Sequence, residues 1–259
     1  MGRTFLLTLQ FDGTEYCGWQ RQRDGRSVQG EVEAALGRLA GGAARAVAAG
    51  RTDAGVHALG MPVTTEMPQR WESADLLRAL NALLPSSIAV ASVREVRLGT
   101  NARRSALGRR YHYDIGIDGT GRSPFRSRTL WPLGRSMDLG ALQRAASVIL
   151  GEHDFRAFAV IGEPKPHYRC RVHEARWQSH GEHGVRFVVA ADRFLHHMVR
   201  FLVGTMVEIG LGRRPEKDMS ELLALDHNHR TASPAPAAGL SFVEAWYPDN
   251  IWAGEEARW

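Results

Sequence analysis

Phe5, Leu7, Leu9 and Phe11 alternate with Leu6, Thr8 and Gln10, the two-residue period of a strand buried on one face. A turn-rich stretch follows, Asp12-Gly13-Thr14 and then Cys17-Gly18-Trp19, leading into a basic loop from Arg21 to Arg26. The apolar spacing then lengthens to that of a helix at Val28, Val32, Leu36 and Leu39, with Ser27 placed to cap it. Ala44 to Ala49 reads as a short buried strand ending at Gly50, and Val63 to Glu66 as a further strand-like piece. A second helix is expected with Ser73 as its cap, Leu76, Leu77, Leu80, Leu83 and Leu84 as its apolar stripe, and Pro85 as its stop. Ile88 to Val96 reads as another strand. The order strand, helix, strand, strand, helix, strand predicts an α+β architecture with helices on one face of a sheet.

The second half of the pattern repeats this plan. Tyr111, Tyr113, Ile115 and Ile117 share one face of a strand over Arg110 to Ile117. Asp138 is placed to cap a helix carrying Leu139, Leu142, Ala146, Ile149 and Leu150, which Gly151 ends. Tyr168 to Gln178 and Val185 to Ala191 flank Gly181-Glu182-His183-Gly184 and read as a hairpin. Met198 to Leu211 reads as an apolar helix and Leu240 to Tyr247 as a closing strand. Two similar α+β halves are expected, 1–104 and 105–259, each an antiparallel sheet with helices on one face.

Composition narrows the function classes. The chain has 259 residues, 44% hydrophobic and 24% charged, which fits a folded globular protein rather than a disordered one. No apolar run is long enough to cross a bilayer, and Met1-Gly2-Arg3 leads directly into the strand pattern, so neither a membrane nor a secretory signal is expected and the expected location is the cytoplasm. Cys17 and Cys170 lie far apart and outside any CxxC pattern, which argues against a disulfide framework or a cysteine zinc site. A net charge of +5 and a pI near 9.7 lean towards a polyanionic partner. Nearly all of the positive charge is arginine, which grips phosphate with paired hydrogen bonds and stacks on bases. Clusters at Arg21, Arg23 and Arg26, at Arg103, Arg104, Arg109 and Arg110, and at Arg122, Arg126 and Arg128 are candidate phosphate contacts.

The densest polar cluster in an apolar neighbourhood is Gly50-Arg51-Thr52-Asp53-Ala54-Gly55-Val56-His57-Ala58. It follows a strand, where a loop can present side chains from a rigid scaffold. Its glycines permit tight turns or close approach of a substrate, and an arginine two residues before a carboxylate favours the ionised form. His196-His197, His227 and His229 carry no HxxxH or paired-cysteine spacing, so no metal is expected.

That loop is one of an ordered set of blocks. Asp12-Gly13-Thr14 with Gly18-Trp19-Gln20 precedes it; Asn101-Ala102-Arg103-Arg104-Ser105-Ala106 and Arg109-Arg110-Tyr111-His112-Tyr113 follow, then Gly151-Glu152-His153-Asp154-Phe155, and then Phe194-Leu195-His196-His197-Met198-Val199-Arg200 with Gly204. Over about Phe5 to Pro248 the chain resembles the TruA-type tRNA pseudouridine synthases, the Arg-Thr-Asp-Ala-Gly-Val-His run being the most specific part. The resemblance implies a homodimeric enzyme that isomerises uridine on the 3′ side of the anticodon stem-loop, tRNA nucleotides 38–40, with Asp53 as nucleophile. It further implies two halves facing a basic cleft. The reaction breaks N1–C1′, rotates the uracil and joins C5 to C1′, so neither a cofactor nor a metal is called for. Asp53 could attack C1′, add to C6 or remove a proton from C2′, and the sequence does not choose among the three.

The resemblance assigns three substrate-binding residues besides. Tyr111 matches a tyrosine packed near the target base, although its periodicity alone fits an ordinary core face. Arg200 matches an arginine that pairs with the catalytic aspartate; in an apolar helix an unpaired charge would be costly. Arg51 matches a residue that displaces the target nucleotide from its stack, the alternative being a simple ion pair with Asp53. The chain departs from the family pattern at Thr100, where an aromatic is common, and at Met61-Pro62, where Gly-Gln is usual; Pro62 cannot donate to a sheet ladder. Two rival classes are a non-catalytic tRNA-binding protein and a carboxylate-dependent glycosidase or nucleosidase.

Overall fold

In the computed structural model, which describes residues 2–160, 167–182 and 184–253, the chain divides into two units, Met1–Gly108 with Phe242–Trp259, and Arg109–Ser241. The architecture is α+β, with largely antiparallel strands. No helix among the described residues is long and apolar enough to cross a membrane.

The first unit follows the expected order: β1 (Gly2–Phe11), α1 (Val28–Ala40), β2 (Val47–Ala48), β3 (His57–Pro68), α2 (Ser73–Leu83) and β4 (Ile88–Val96). β1 lies between β4 and β3, antiparallel to both, and β2 pairs with β3. Phe242–Trp246 of β10 (Leu240–Trp246) lie beside β3. Phe5, Leu7, Leu9, Leu36, Met61, Met67 and Leu76 are fully buried, each contributing about 1.5–3 kcal/mol of transfer free energy. α2 packs on β4 and on α1.

Three local expectations change. Ser27 caps α1 as read, its Oγ accepting from Gly30 N at 3.2 Å. α2, however, is preceded by Glu72, whose side chain makes no capping bond, so Ser73 is the first helical residue rather than the cap. Only Leu76 and Leu80 of its leucines are fully buried. The buried strand expected over Ala44 to Ala49 shrinks to two residues, while the piece at Val63 to Glu66 is the middle of a twelve-residue strand, β3, that begins at His57 and accommodates Pro62. Pro62 stands opposite Thr8, and its carbonyl accepts from Ala49 N at 2.8 Å, so the residue contributes through the acceptor it retains.

In the second unit β5 (Gly108–Gly116), which begins at the boundary, pairs antiparallel with β9 (Gly184–Ala191), and β9 with β8 (Arg169–Ser179). The hairpin thus forms as read, with His183 of its turn outside the described residues. β7 (Gly151–Asp154) adds to β8, and β6 (Trp131–Pro132) runs parallel to β5. Asp114 and Arg186 face each other across β5 and β9 with two bonds of 2.6 and 2.8 Å, the paired geometry of a strong ion pair. Asp138 Oδ1 caps α3 (Leu139–Ser147), accepting from Ala141 N at 2.9 Å. α3 ends before Ile149 and Leu150, and Gly151 opens β7 instead of terminating the helix. α4 (Met198–Gly210) is buried on nearly every side and packs on α3; α5 (Asp218–Leu223) was not read from the pattern.

Candidate active site

The loop between β2 and β3 is set by backbone constraints that begin with glycine. Val56 N donates to Asp53 O at 3.2 Å, closing a turn in which Asp53 is first and Gly55 third. Gly55 has φ +78°, the left-handed value that the third residue of a type II turn needs and that a side chain disfavours. Asp53 is half-buried, Thr52 before it is 7% exposed and Arg51 is exposed. The guanidinium of Arg51 makes no ion pair or hydrogen bond with any described residue, so it does not pair with Asp53. The Oγ1 of Thr52 is buried and has no hydrogen-bond partner among the described residues.

A second segment, residues 12–19, clamps this turn. Trp19 N donates to Thr52 O at 3.1 Å and Gly55 N to Tyr16 O at 3.3 Å. Gly18, at φ +98°, lies so close that a Cβ would stand 2.5 Å from Thr52 O and 3.0 Å from Asp53 C. A Cβ on Gly13 would stand 2.0 Å from Val56 O. Both glycines are therefore required by close approach to the loop backbone. His57, 3% exposed, receives a 3.1 Å bond from Gly13 N at Nδ1. Its Nδ1 must then carry a lone pair, so the 3.3 Å approach of Asp12 Oδ1 to the same nitrogen is not an ion pair in that tautomer. Asp12 Oδ1 is held instead by Thr14, through N at 3.0 Å and Oγ1 at 2.5 Å. Sequence pattern marks each of these glycines, but not that they touch residues some 35 to 45 positions away.

Tyr111 and Arg200 lie in the second unit. Tyr111 is 7% exposed, opposite Val189 in the β5–β9 ladder, with its ring edge-on to Phe194 at 5.0 Å. Tyr113, two residues on, is fully buried and donates from its hydroxyl to Pro236 O at 2.7 Å. Burial pushes the Tyr113 phenol far above its ordinary range, the positive charge of Arg200 offsetting only part of that. Arg200, half-buried on α4, donates from Nε to Ala235 O at 2.7 Å, and its own carbonyl accepts from Ala235 N at 2.9 Å. The charge in the apolar helix is thus held by the 233–236 loop.

Two histidines stand immediately before α4, which begins at Met198 as read. His197 precedes the first helical residue with φ +62°, the one non-glycine positive φ among the described residues. Its ring centroid is 4.2 Å from that of His196. A histidine held in the left-handed region costs on the order of 1–2 kcal/mol, and such strain concentrates at functional sites. Sequence reasoning gave His197 no role; the only signal was its place in the Phe194–Arg200 block. His227 and His229 form a separate pair at 5.2 Å, and His227 Nδ1 is buried with no hydrogen-bond partner among the described residues.

The arginine clusters are largely engaged with neighbouring groups. Arg26 bonds Glu31 at 2.6 Å and lies over the Tyr16 ring; Arg109 Nη1 donates to Asp192 O at 2.8 Å; Arg110 meets Glu174 at 3.2 Å; Arg126 engages Asp118 and Thr120. The hydrogen bond that Arg26 donates to Glu31 raises the affinity of its guanidinium for its proton. Arg21, Arg23, Arg103, Arg104, Arg122 and Arg128 are exposed. Arg21 also reaches Glu33 at 4.0 Å, and Arg103 and Arg128 have partners too, so at least seven of the ten expected phosphate contacts engage groups of their own chain.

A family model described as tRNA pseudouridine synthase matches residues 8–103 and 145–248. Arg51 and Asp53 fall in the first stretch and Arg200 in the second, while Tyr111 lies between them. A tRNA pseudouridine synthase A from Thermus thermophilus is 43% identical over 252 residues, covering 96% of this chain and 98% of that protein. One from Myxococcus xanthus is 39% identical over 244 residues, covering 94% and 92%. With a family model over most of the chain and relatives of this identity over nearly all of it, the chain belongs to the tRNA pseudouridine synthase family.

Proposed function

We propose that this chain isomerises uridine to pseudouridine in transfer RNA, on the 3′ side of the anticodon stem-loop, with Asp53 as the catalytic carboxylate and no cofactor. The observation that carries this is a half-buried carboxylate at the head of a turn that is fastened from both sides, beside an Arg51 guanidinium that does not neutralise it. A group that must meet one carbon or one proton of a nucleoside has to be held within tenths of an ångström, and the clamp supplies that. The names of the relatives supply the substrate class.

The isomerisation is balanced without an outside reagent. The N1–C1′ bond breaks, the uracil rotates, C5–C1′ forms, C5 loses a proton and N1 ends with one. Asp53 serves as the carboxylate in any of the three routes, at C1′, C6 or the C2′ proton. The target base has to leave its stack first, at a cost of a few kcal/mol. Arg51, displayed and unoccupied by Asp53, is suited to fill the vacated space and stack on its neighbours. Tyr111, with its ring fixed by Phe194, is assigned to the base and its C5 proton; Arg200 is assigned to the orientation of Asp53. A homodimer acting in the cytoplasm completes the proposal.

The test is pseudouridine formation in unmodified tRNA by the wild type and by Asp53→Asn, both with EDTA present. Product from the wild type alone, with tRNA affinity of the variant within a few-fold, is expected. Turnover by Asp53→Asn would remove the carboxylate from the mechanism. Free uracil in place of pseudouridine would make the enzyme a nucleosidase, and tRNA binding without any product would make it a binding protein.

A further inference from the structure

Between β5 and β6 the chain makes an excursion whose sequence runs Gly119-Thr120-Gly121-Arg122-Ser123-Pro124-Phe125-Arg126-Ser127-Arg128-Thr129-Leu130. It lies in residues 104–144, which the family model does not match. Phe125 at its tip is 93% exposed, the most exposed large apolar side chain among the described residues. From 119 to 137 there are four arginines, Arg122, Arg126, Arg128 and Arg135, and no acidic residue.

The loop is built rather than loose. Its two stems are paired in the sheet, Ile115 with Trp131 and Gly116 with Pro132. Ser123 O accepts from Arg126 N at 2.9 Å and Ser127 N at 2.8 Å; Arg126 O accepts from Thr129 N at 3.0 Å. The Arg126 side chain turns inward to Thr120 and Asp118, while Arg122 and Arg128 are exposed. A phenyl ring is thus exposed on a fastened turn whose sequence places an exposed arginine three residues to either side of it. Fixing a fully exposed phenylalanine in place forgoes the free energy its burial would release, so it gains only when a partner covers it. An exposed aromatic ring on an arginine-rich segment without acidic residues from 119 to 137 matches an unpaired nucleotide, whose base stacks on the ring while the phosphates on either side meet the cations.

We propose that the Phe125 loop is a tRNA contact separate from the catalytic turn, in which an unpaired base of the substrate stacks on Phe125 and its flanking phosphates are met by Arg122 and Arg128. This rests on the tRNA reading above. The test replaces Phe125 by alanine and by tryptophan and measures tRNA binding together with single-turnover and steady-state kinetics. Loss of a stacked base predicts a Kd and KM raised between about 5-fold and 100-fold in Phe125→Ala, with kcat unchanged, and recovery in Phe125→Trp. A photoreactive benzoylphenylalanine at 125 should crosslink to tRNA. Wild-type binding and kinetics in Phe125→Ala, or a crosslink that joins two copies of the chain instead of chain and RNA, would overturn the contact while leaving the synthase reading intact. If the wild type itself neither binds nor modifies tRNA, the underlying reading fails instead.

Discussion

The turn that carries Asp53 and the turn that carries Phe125 are both excursions from strand ends, yet they are fastened by different means. Arg51–His57 is clamped by another stretch of main chain, residues 12–19, through backbone hydrogen bonds and two glycines that leave no space for a side chain. Gly119–Leu130 is fastened mainly from within, by its own turns and by the Arg126 side chain. The first arrangement fixes atoms and tolerates no added carbon. The second displays a surface and leaves its side chains exchangeable. Chemistry at one carbon needs the former, and recognition of a flexible polymer needs only the latter.

The sharpest way to break this comparison is Gly18→Ala. A Cβ there meets Thr52 O at 2.5 Å from a backbone at φ +98°, so either the residue or the catalytic turn must move. The expected outcome is a loss of at least about 2 kcal/mol in urea unfolding and a fall in kcat of about 100-fold, with tRNA affinity within a few-fold. Unchanged kcat would show that the clamp does not set the position of Asp53. Thr52→Val is the milder probe. It replaces a buried hydroxyl that lacks a partner among the described residues by a methyl group of the same size, so stability should stay level or rise by up to about 1 kcal/mol. A fall in Tm would show that the hydroxyl is hydrogen-bonded in solution.

The smallest effect concerns β5, the strand from which the arginine loop departs. Burial, and next Arg186, hold the His112 imidazole below its ordinary value of 6.5; Arg110 and Arg176 act in the same direction and Asp114 against them. The folded state therefore binds a proton less readily than the unfolded chain, and stability is lost as pH falls below about 6.5. Thermal unfolding between pH 7.5 and 5.5 should show a shallower decline for His112→Phe than for the wild type. Equal slopes would mean that His112 opens to water before it titrates.

How much of this was legible in the sequence depends on whether the cause is local. Ser27 and Asp138 cap their helices because a side-chain oxygen two or three residues before the first free N–H is a local arrangement. Alternation over Phe5–Phe11 and Ile88–Val96 was sufficient to place both strands, β4 alternating in burial where α2 packs on it. β3 was read at a third of its length, since His57–Pro62 owes its extended form to β1 alongside rather than to its own residues. β7, with Glu152, His153 and Asp154, has no apolar period at all and is a strand because β8 pairs with it. The candidates Arg51, Asp53, Tyr111 and Arg200 come from a motif, whereas the clamp of Gly13 and Gly18 and the left-handed His197 depend on contacts and dihedrals that no spacing encodes.

The return of Phe242–Trp246 to the first unit has a consequence for synthesis on the ribosome. Arg109–Ser241 is contiguous and can close as it emerges, but the first unit lacks the Phe242–Trp246 strand until the whole of the second has been made. At roughly 5–20 residues per second, the nascent β3 waits on the order of ten seconds with part of an edge uncovered. An open edge invites pairing with a neighbouring chain. The order of the sequence therefore completes the second unit before the first has its Phe242–Trp246 strand, and leaves the first unit the more dependent on what shields a growing polypeptide.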